Sequence, residues 1–344
     1  MDESVLHSLL RKGQQYNASD ILLKVGQPPA FRVAGELHYL QGDKLMPQHT
    51  QRLAEIILSR SRFKQSIEEL REYDTSYSVP GLGRYRVNVY RQRGSIAIAI
   101  RAIPLRIPTL EELGVPPVVE SLAALERGLV LVVGAAGNGK SSTLAALIGL
   151  INQTRRVHII TIEDPIEFIH ADALASISQR EIGTDTSDFA TALRAALRQD
   201  PDVILVGEIR DEETMDIALK AAETGHLVLS TLHTPDVQRT VGRILALSSQ
   251  PAQATRERLA DNLKAIIAQR LIPGAHGGLC LAAEILIVTG TARESLRKPE
   301  SNPPLKDIME KGAHPYGMQT FEMHIRELIR QGKVNPEDAR LAMG

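Results

Sequence analysis

The 344-residue chain has no tryptophan, five phenylalanines, seven tyrosines and one cysteine. Scarce aromatics leave aliphatic side chains to fill the cores, and hydrophobic residues make up 43% of the chain, ordinary for a globular protein. A lone cysteine, Cys280, excludes an intrachain disulfide and a four-cysteine zinc site. Its place in the apolar run "LCLAAEILIV" (279–288) predicts a small buried hydrophobe. Charge of one sign is missing too, with a formal net charge of −1. Near-neutrality and few aromatics argue against a nucleic-acid partner, which would want basic stripes and stacking platforms. No apolar run approaches the ~18 residues of a membrane span. The start "MDESVLHSLLRKG" lacks the apolar centre of a signal peptide. A cytoplasmic location is expected, with any membrane role exercised through partners. No internal repeat is evident.

Proline is concentrated in "IPLRIPTLEELGVPP" (103–117), which forbids regular structure over most of its length and predicts a semi-rigid linker, 104–117. Before it, Val5, Leu6, Leu9 and Leu10 have helical spacing. Strands are expected at 21–25, 30–40, 74–79, 84–90 and 95–103, with "PGLG" (80–83) as a hairpin turn. Helices are expected over 50–61 and 63–72. Residues 1–103 thus read as an α+β domain. From 118 the texture changes. Apolar runs at 128–134, 157–164, 202–208 and 226–233 alternate with helical patterns. Such runs are buried on both faces, as in a parallel sheet with crossover helices, so 118–344 reads as an α/β domain. Beyond about 252 the pattern is mostly helical, apart from 279–288.

"GAAGNGKS" (134–141) follows the first of these strands and precedes a helix with Leu144, Leu147, Ile148 and Ile151 on one face. The spacing G-x-x-x-x-G-K-[ST] builds a phosphate cradle. Glycines let backbone N–H groups point inward, Lys140 reaches the outer phosphates, and the Ser141 hydroxyl can ligate Mg²⁺. The helix brings its positive end to the phosphates. Gly134, Gly137, Asn138, Gly139, Lys140, Ser141 and Ser142 are the candidate nucleotide-binding residues, and ATP with Mg²⁺ is the expected ligand. Phosphoryl transfer also needs metal-directed charge and an oriented nucleophile. Glu208 ends the strand at 202–208 and can approach Mg²⁺ directly or through water. Glu163 and Asp164 end another strand, and one of them can orient the attacking water. His226 and His233 bracket the strand at 226–233, and His233 can sense the γ-phosphate. Helix capping and surface turns are the competing readings for such residues.

Together these motifs resemble a known family. The phosphate loop, "TIEDPIE" (161–167), "DPDVILVGEIRDEETMDIALKAAETGH" (200–226) and "LVLSTLHT" (227–234) look like the Walker A, Asp, Walker B and His boxes of the secretion-superfamily ATPases. "ASDILLKVGQPPAFRVAGEL", "GRYRVNVYRQRG", "IIAQRLIP" and "GMQTFE" extend the likeness over nearly the whole chain. The branch it resembles most is the type IV pilus retraction ATPases of the PilT kind. That likeness implies a PAS-like N-terminal domain, a RecA-like C-terminal domain, a ring of six copies, and ATP bound between the domains. It implies Glu163 as general base, Glu208 as the Walker B acid and His233 in the His box. Arginines of the N-terminal domain would complete the site: Arg86 and Arg101 first, then Arg91 and Arg93. Arg210 would bridge to a neighbouring site, with a surface salt bridge as its competitor. An inner-membrane pilus platform protein is the implied partner, alongside paralogous retraction or extension ATPases. The protein would sit in the cytoplasm, peripheral to the inner membrane. Pilus assembly, type II secretion and an accessory retraction role are the alternative uses of the same enzyme. A nucleotide-binding regulatory subunit without turnover would be expected to have lost Glu163 or Glu208; both are present. The chain departs from the family at Ala135, Ala136 and Asn138 in the loop and at Leu22. It departs also in "TARESLRK" (291–298), where retraction ATPases typically carry A-I-R-N-L-I-R-E.

Overall fold

The computed structural model describes residues 2–104 and 106–343. They form two compact units that divide after Arg106. In the first, helix α1 (Glu3–Gln15) starts where the Asp2 side chain accepts the Val5 N–H, an N-cap that satisfies an otherwise unpaired donor. Strands β1 (Asp20–Lys24), β2 (Ala30–Val33) and β3 (Glu36–Tyr39) follow, then α2 (Pro47–Ser59), β4 (Glu72–Val79), β5 (Gly83–Gln92) and β6 (Ser95–Ala102). The sheet order is β3-β2-β1-β6-β5-β4, antiparallel throughout. Strand alternation sends Phe31, Val87, Ile98 and Ile100 into a core shared with Leu6 and Leu10 of α1 and Leu53 and Ile57 of α2. The intervening positions carry Arg86, Arg101, Asp20 and Arg32, cross-strand partners in one row.

Two local expectations fail here. The stretch 30–40 is a hairpin rather than one strand. Ala34 and Gly35 take φ of +50° and +88°, the left-handed pair of a tight hairpin turn. The helix expected over 63–72 does not form. The Arg91 guanidinium reaches across from β5 and donates to the carbonyls of Leu70 (2.7 Å), Ile67 and Glu68 (2.9 Å each). Those carbonyls are held in turns instead of a helical ladder.

The second unit takes in residues from Ile107 onward, so much of the proline-rich stretch belongs to it. Leu110 and Val115 are buried in its core; Leu105 lies outside the described residues. Its elements are β7 (Gly128–Val133), α3 (Lys140–Thr154), β8 (His158–Glu163), β9 (Ser176–Glu181), α4 (Phe189–Ala196), β10 (Val203–Val206), α5 (Glu212–Glu223), β11 (Leu227–Leu232), α6 (Val237–Leu247) and α7 (Ala252–Asn262). After these come β12 (Leu263–Pro273), β13 (Leu279–Ile287), α8 (Gly290–Arg297), α9 (Leu305–Lys311), α10 (Phe321–Arg330) and α11 (Pro336–Met343). The sheet order is β13-β12-β7-β11-β10-β8-β9, parallel except where β13 returns along β12. Alternate residues of β7 face opposite cores: Leu129, Leu131 and Val133 on the side of α4 to α6, Val130 and Val132 on the side of α3. This explains the unbroken apolar runs.

The region beyond 252 is less helical than expected, because β12 was not foreseen. Leu263, Ile266, Ile267 and Leu271 have helical spacing, yet Ala265 to Ala268 are buried on both sides beside β7. Burial on two faces overrides a one-face pattern. Strand β9 was also missed. Cys280 is only partly buried, at the margin of the core.

Candidate functional site

Parallel pairing puts the C-terminal ends of β7, β11, β10 and β8 on one edge of the sheet, where ligands gather in open α/β folds. At the end of β7, Gly134 takes φ of +149°, and a Cβ there would lie 2.6 Å from the Gln269 carbonyl oxygen. Only glycine lets the loop leave the strand so close to β12. Asn138 Oδ1 accepts the Leu271 N–H at 3.1 Å, and the Gln269 amide donates to the Thr143 hydroxyl at 2.7 Å. The loop and the first turn of α3 are therefore both pinned to β12. The Lys140 ammonium donates to the carbonyls of Gly134 and Ala135, each at 2.9 Å. Burial pulls its pKa below the usual lysine value, opposed by the carboxylates of Glu208 and Glu167.

A cavity of about 230 Å³ opens beside the loop, lined by Gly137, Lys140, Ser141, Glu163, Glu208 and His233, among others. Glu208 is ion-paired with Arg210, and His233 Nε2 lies 3.2 Å from its other oxygen. Arg210 also approaches Asp164 at 3.9 Å, so Asp164, Arg210, Glu208 and His233 form one connected chain of polar contacts. Gly207 sets the spacing: a Cβ there would press on the Ile162 carbonyl at 3.1 Å and Glu163 Cα at 3.4 Å. Burial raises the Glu163 pKa above the ordinary glutamate range, against hydrogen bonds from Thr161 and Gln179 that lower it.

Not every expected residue arrives. His226 stands at the opposite end of β11; its carbonyl accepts the Gly128 N–H at the start of β7. Six residues of strand separate it from His233, about 20 Å. Its Nδ1 sits 2.9 Å from the Ala221 carbonyl at the end of α5, so its role as a nucleotide contact within its own chain is corrected to a structural one. Asn138 turns its side chain to β12, away from the cavity. Ser142 sits in the first turn of α3 beside the loop, outside the cavity lining. Arg86, Arg91, Arg93 and Arg101 lie on the first unit. Arg86 and Arg101 are exposed cross-strand neighbours, with Arg101 Nε 2.8 Å from Asp20. Arg93 occupies the β5–β6 turn at φ of +49°. Arg91 is committed to four backbone carbonyls, including Gly94 at 3.1 Å, which excludes it as a free cation.

A family model described as "Type II/IV secretion system protein" matches residues 94–338. The chain belongs to this family. As a type II/IV secretion system protein it is 40% identical over 333 residues to the type IV pilus retraction ATPase PilT of Pseudomonas aeruginosa, covering 96% of each chain. It is 39% identical to the type IV pilus ATPase PilU of the same organism, over 98% of this chain and 87% of that one. A crystal structure of the pilus retraction motor PilT with bound ADP superposes with a TM-score of 0.88 at 43% identity, covering 96% and 95% of the two chains. Among the described residues no helix is long and apolar enough to cross a membrane.

Motif reading missed several residues of this secretion-family protein that line the cavity or hold Glu163 from behind it. Thr161 lies two residues before Glu163 on the same strand face, a signal that alternation could have supplied. Gln179 sits on β9, which had not been read as a strand. His170 lines the cavity, and burial pushes its pKa down to about 4.

Proposed function

We propose that this protein is an ATP-hydrolysing motor that powers retraction of type IV pili, working as a ring of six in the cytoplasm against an inner-membrane platform protein. The near end-to-end likeness to PilT, with the phosphate loop and both acids intact, carries this reading. On it, the first unit is PAS-like and the second RecA-like.

Lys140 and the loop N–H groups bind the phosphates. The residues present fit a magnesium ion. Ser141 and Glu208 offer one hydroxyl and one carboxylate at the cavity. Among the described residues no cluster of three or more metal-ligating side chains exists. Mg²⁺ suits such a sparse set, since it keeps waters and takes phosphate oxygens. When bound it would neutralise charge on the phosphates. Glu163 accepts a proton from the attacking water as that oxygen bonds to the γ-phosphorus and the bond to the leaving ADP oxygen breaks. Arg86 and Arg101, with Arg93 and Arg210 as further candidates, supply positive charge to the transition state from within the ring. Such fingers contribute ~10³–10⁵ in rate.

A second reading, an accessory retraction paralogue, is favoured by one observation. Helix α8 carries "TARESLRK" in place of the retraction pattern, with Ala292, Ser295 and Leu296 turned inward. A surface-pilus count after deletion of the gene separates the readings. Excess pili with lost surface motility are expected. Bald cells would make it an extension motor, and unchanged piliation an accessory one.

A further inference from the structure

The Glu163 carboxylate is held asymmetrically. Its Oε1 accepts two hydrogen bonds, from the Thr161 hydroxyl at 2.6 Å and from the Gln179 amide at 3.2 Å. Its Oε2 has only a long approach from the Glu167 N–H at 3.5 Å. Thr161 is fully buried, and Thr161 and Gln179 are cross-strand partners on β8 and β9. The hold is therefore built into the sheet. The Gln179 side chain is fully used. The same amide nitrogen donates to the Phe168 carbonyl at 2.8 Å, and its oxygen accepts the His170 N–H at 2.9 Å. One glutamine thus joins the carboxylate to the 164–170 segment, whose Glu167, Phe168 and His170 wall the cavity.

We propose that Thr161 and Gln179 are positioning residues for hydrolysis, saturating Oε1 of Glu163 so that Oε2 takes the proton from water, with Gln179 tying that aim to the cavity wall. This rests on Glu163 being the general base. A carboxylate with one oxygen saturated has only the other oxygen left to take a proton, and a base must lie within hydrogen-bond reach of its proton. Small misplacements of such groups cost up to about 100-fold. Neither residue offers charge to the phosphates, so nucleotide affinity is not their task.

The test compares Thr161→Val, Thr161→Ser and Gln179→Leu with Glu163→Gln, all as the full chain. Turnover, nucleotide affinity by titration with a fluorescent ATP analogue, and the pH dependence of kcat are the readouts. Thr161→Val and Gln179→Leu are expected to lower kcat about 10- to 100-fold with KM and analogue affinity unchanged. Thr161→Ser is expected to restore it. The acid limb of the kcat profile should move to higher pH, because losing a donor to the carboxylate favours its protonated form. Glu167 from its own loop, Lys140 of α3, Glu208 and His233 beyond β10 and β11, and His170 also line this cavity. They are unchanged in every variant, so the shift isolates the lost bond. Added to Glu163→Gln, Gln179→Leu should cost nothing further. Unchanged kcat in both variants, or a kcat loss with an unmoved acid limb, would overturn the positioning role while leaving the base intact. Full turnover in Glu163→Gln would instead remove the base assignment itself.

Discussion

Lys140, Glu208 and His170 show how burial and charge divide the labour in one cavity. Lys140 is buried against the loop's own carbonyls, and no other lysine or arginine lines the cavity among the described residues. Lys140→Ala is therefore expected to abolish nucleotide binding and turnover together, as read by analogue titration and phosphate release. Glu208→Gln keeps the shape and removes the charge. It should retain binding and lose turnover by about 100-fold or more; full turnover would end its role as the metal-directed acid. His170 yields a stability prediction. Its folded pKa of about 4 lies below the 6.5 of a free imidazole, through burial alone. The unfolded chain then binds its proton first as pH falls. Stability is fully present above pH 6.5 and is lost towards pH 4, by on the order of 2 kcal/mol allowing for partial exposure. Urea unfolding across that range should show the decline, and His170→Gln should flatten part of it.

At the scale of elements, contacts made far along the chain decide what local pattern cannot. The 63–72 stretch has helical composition, but Arg91 holds its carbonyls in turns. Arg91→Lys keeps the charge and loses the planar fork that reaches several acceptors. A loss of about 1–3 kcal/mol in the first unit is expected from the carbonyls left unpaired, measured by denaturant unfolding. An unchanged midpoint would make that network incidental. Strand β12 is the larger lesson. Its residues look amphipathic in isolation. Only beside β7 does burial on two faces become visible, and only then does Asn138 acquire a partner in the Leu271 N–H. The parallel strands β7, β8, β10 and β11 were legible beforehand because burial on both faces leaves runs that no amphipathic helix would carry. The edge strand β9 was not, because its "SISQRE" has neither a long apolar run nor strict alternation.

For the whole molecule, the exposed pair Arg86 and Arg101 is the feature that asks for a partner. Like charges opposite each other on neighbouring strands are unfavourable, and Asp20 offers Arg101 a single carboxylate. If these arginines serve a neighbouring copy in the proposed ring, defects should complement. Lys140→Ala has a dead loop and intact arginines. The double variant Arg86→Ala, Arg101→Ala has the reverse. Mixing the two before assembly should recover part of the turnover that each lacks alone. No recovery would place the arginines in service of their own chain or outside catalysis.

What the chain determined by itself is the chemistry that depends on short spacing: the phosphate loop from Gly134 to Ser141, the buried parallel strands, and acids at strand ends. A cradle of consecutive N–H groups is local geometry, and local geometry is written in consecutive residues. Tertiary structure alone decided which distant groups meet. It carried His226 to the far edge while bringing His233 to Glu208, spent Arg91 on backbone carbonyls, and set Gln179 beside Glu163. The physical reason is register. A strand's side chains find their neighbours through pairing with another strand, and that pairing is chosen by the whole core, not by the residues that benefit from it.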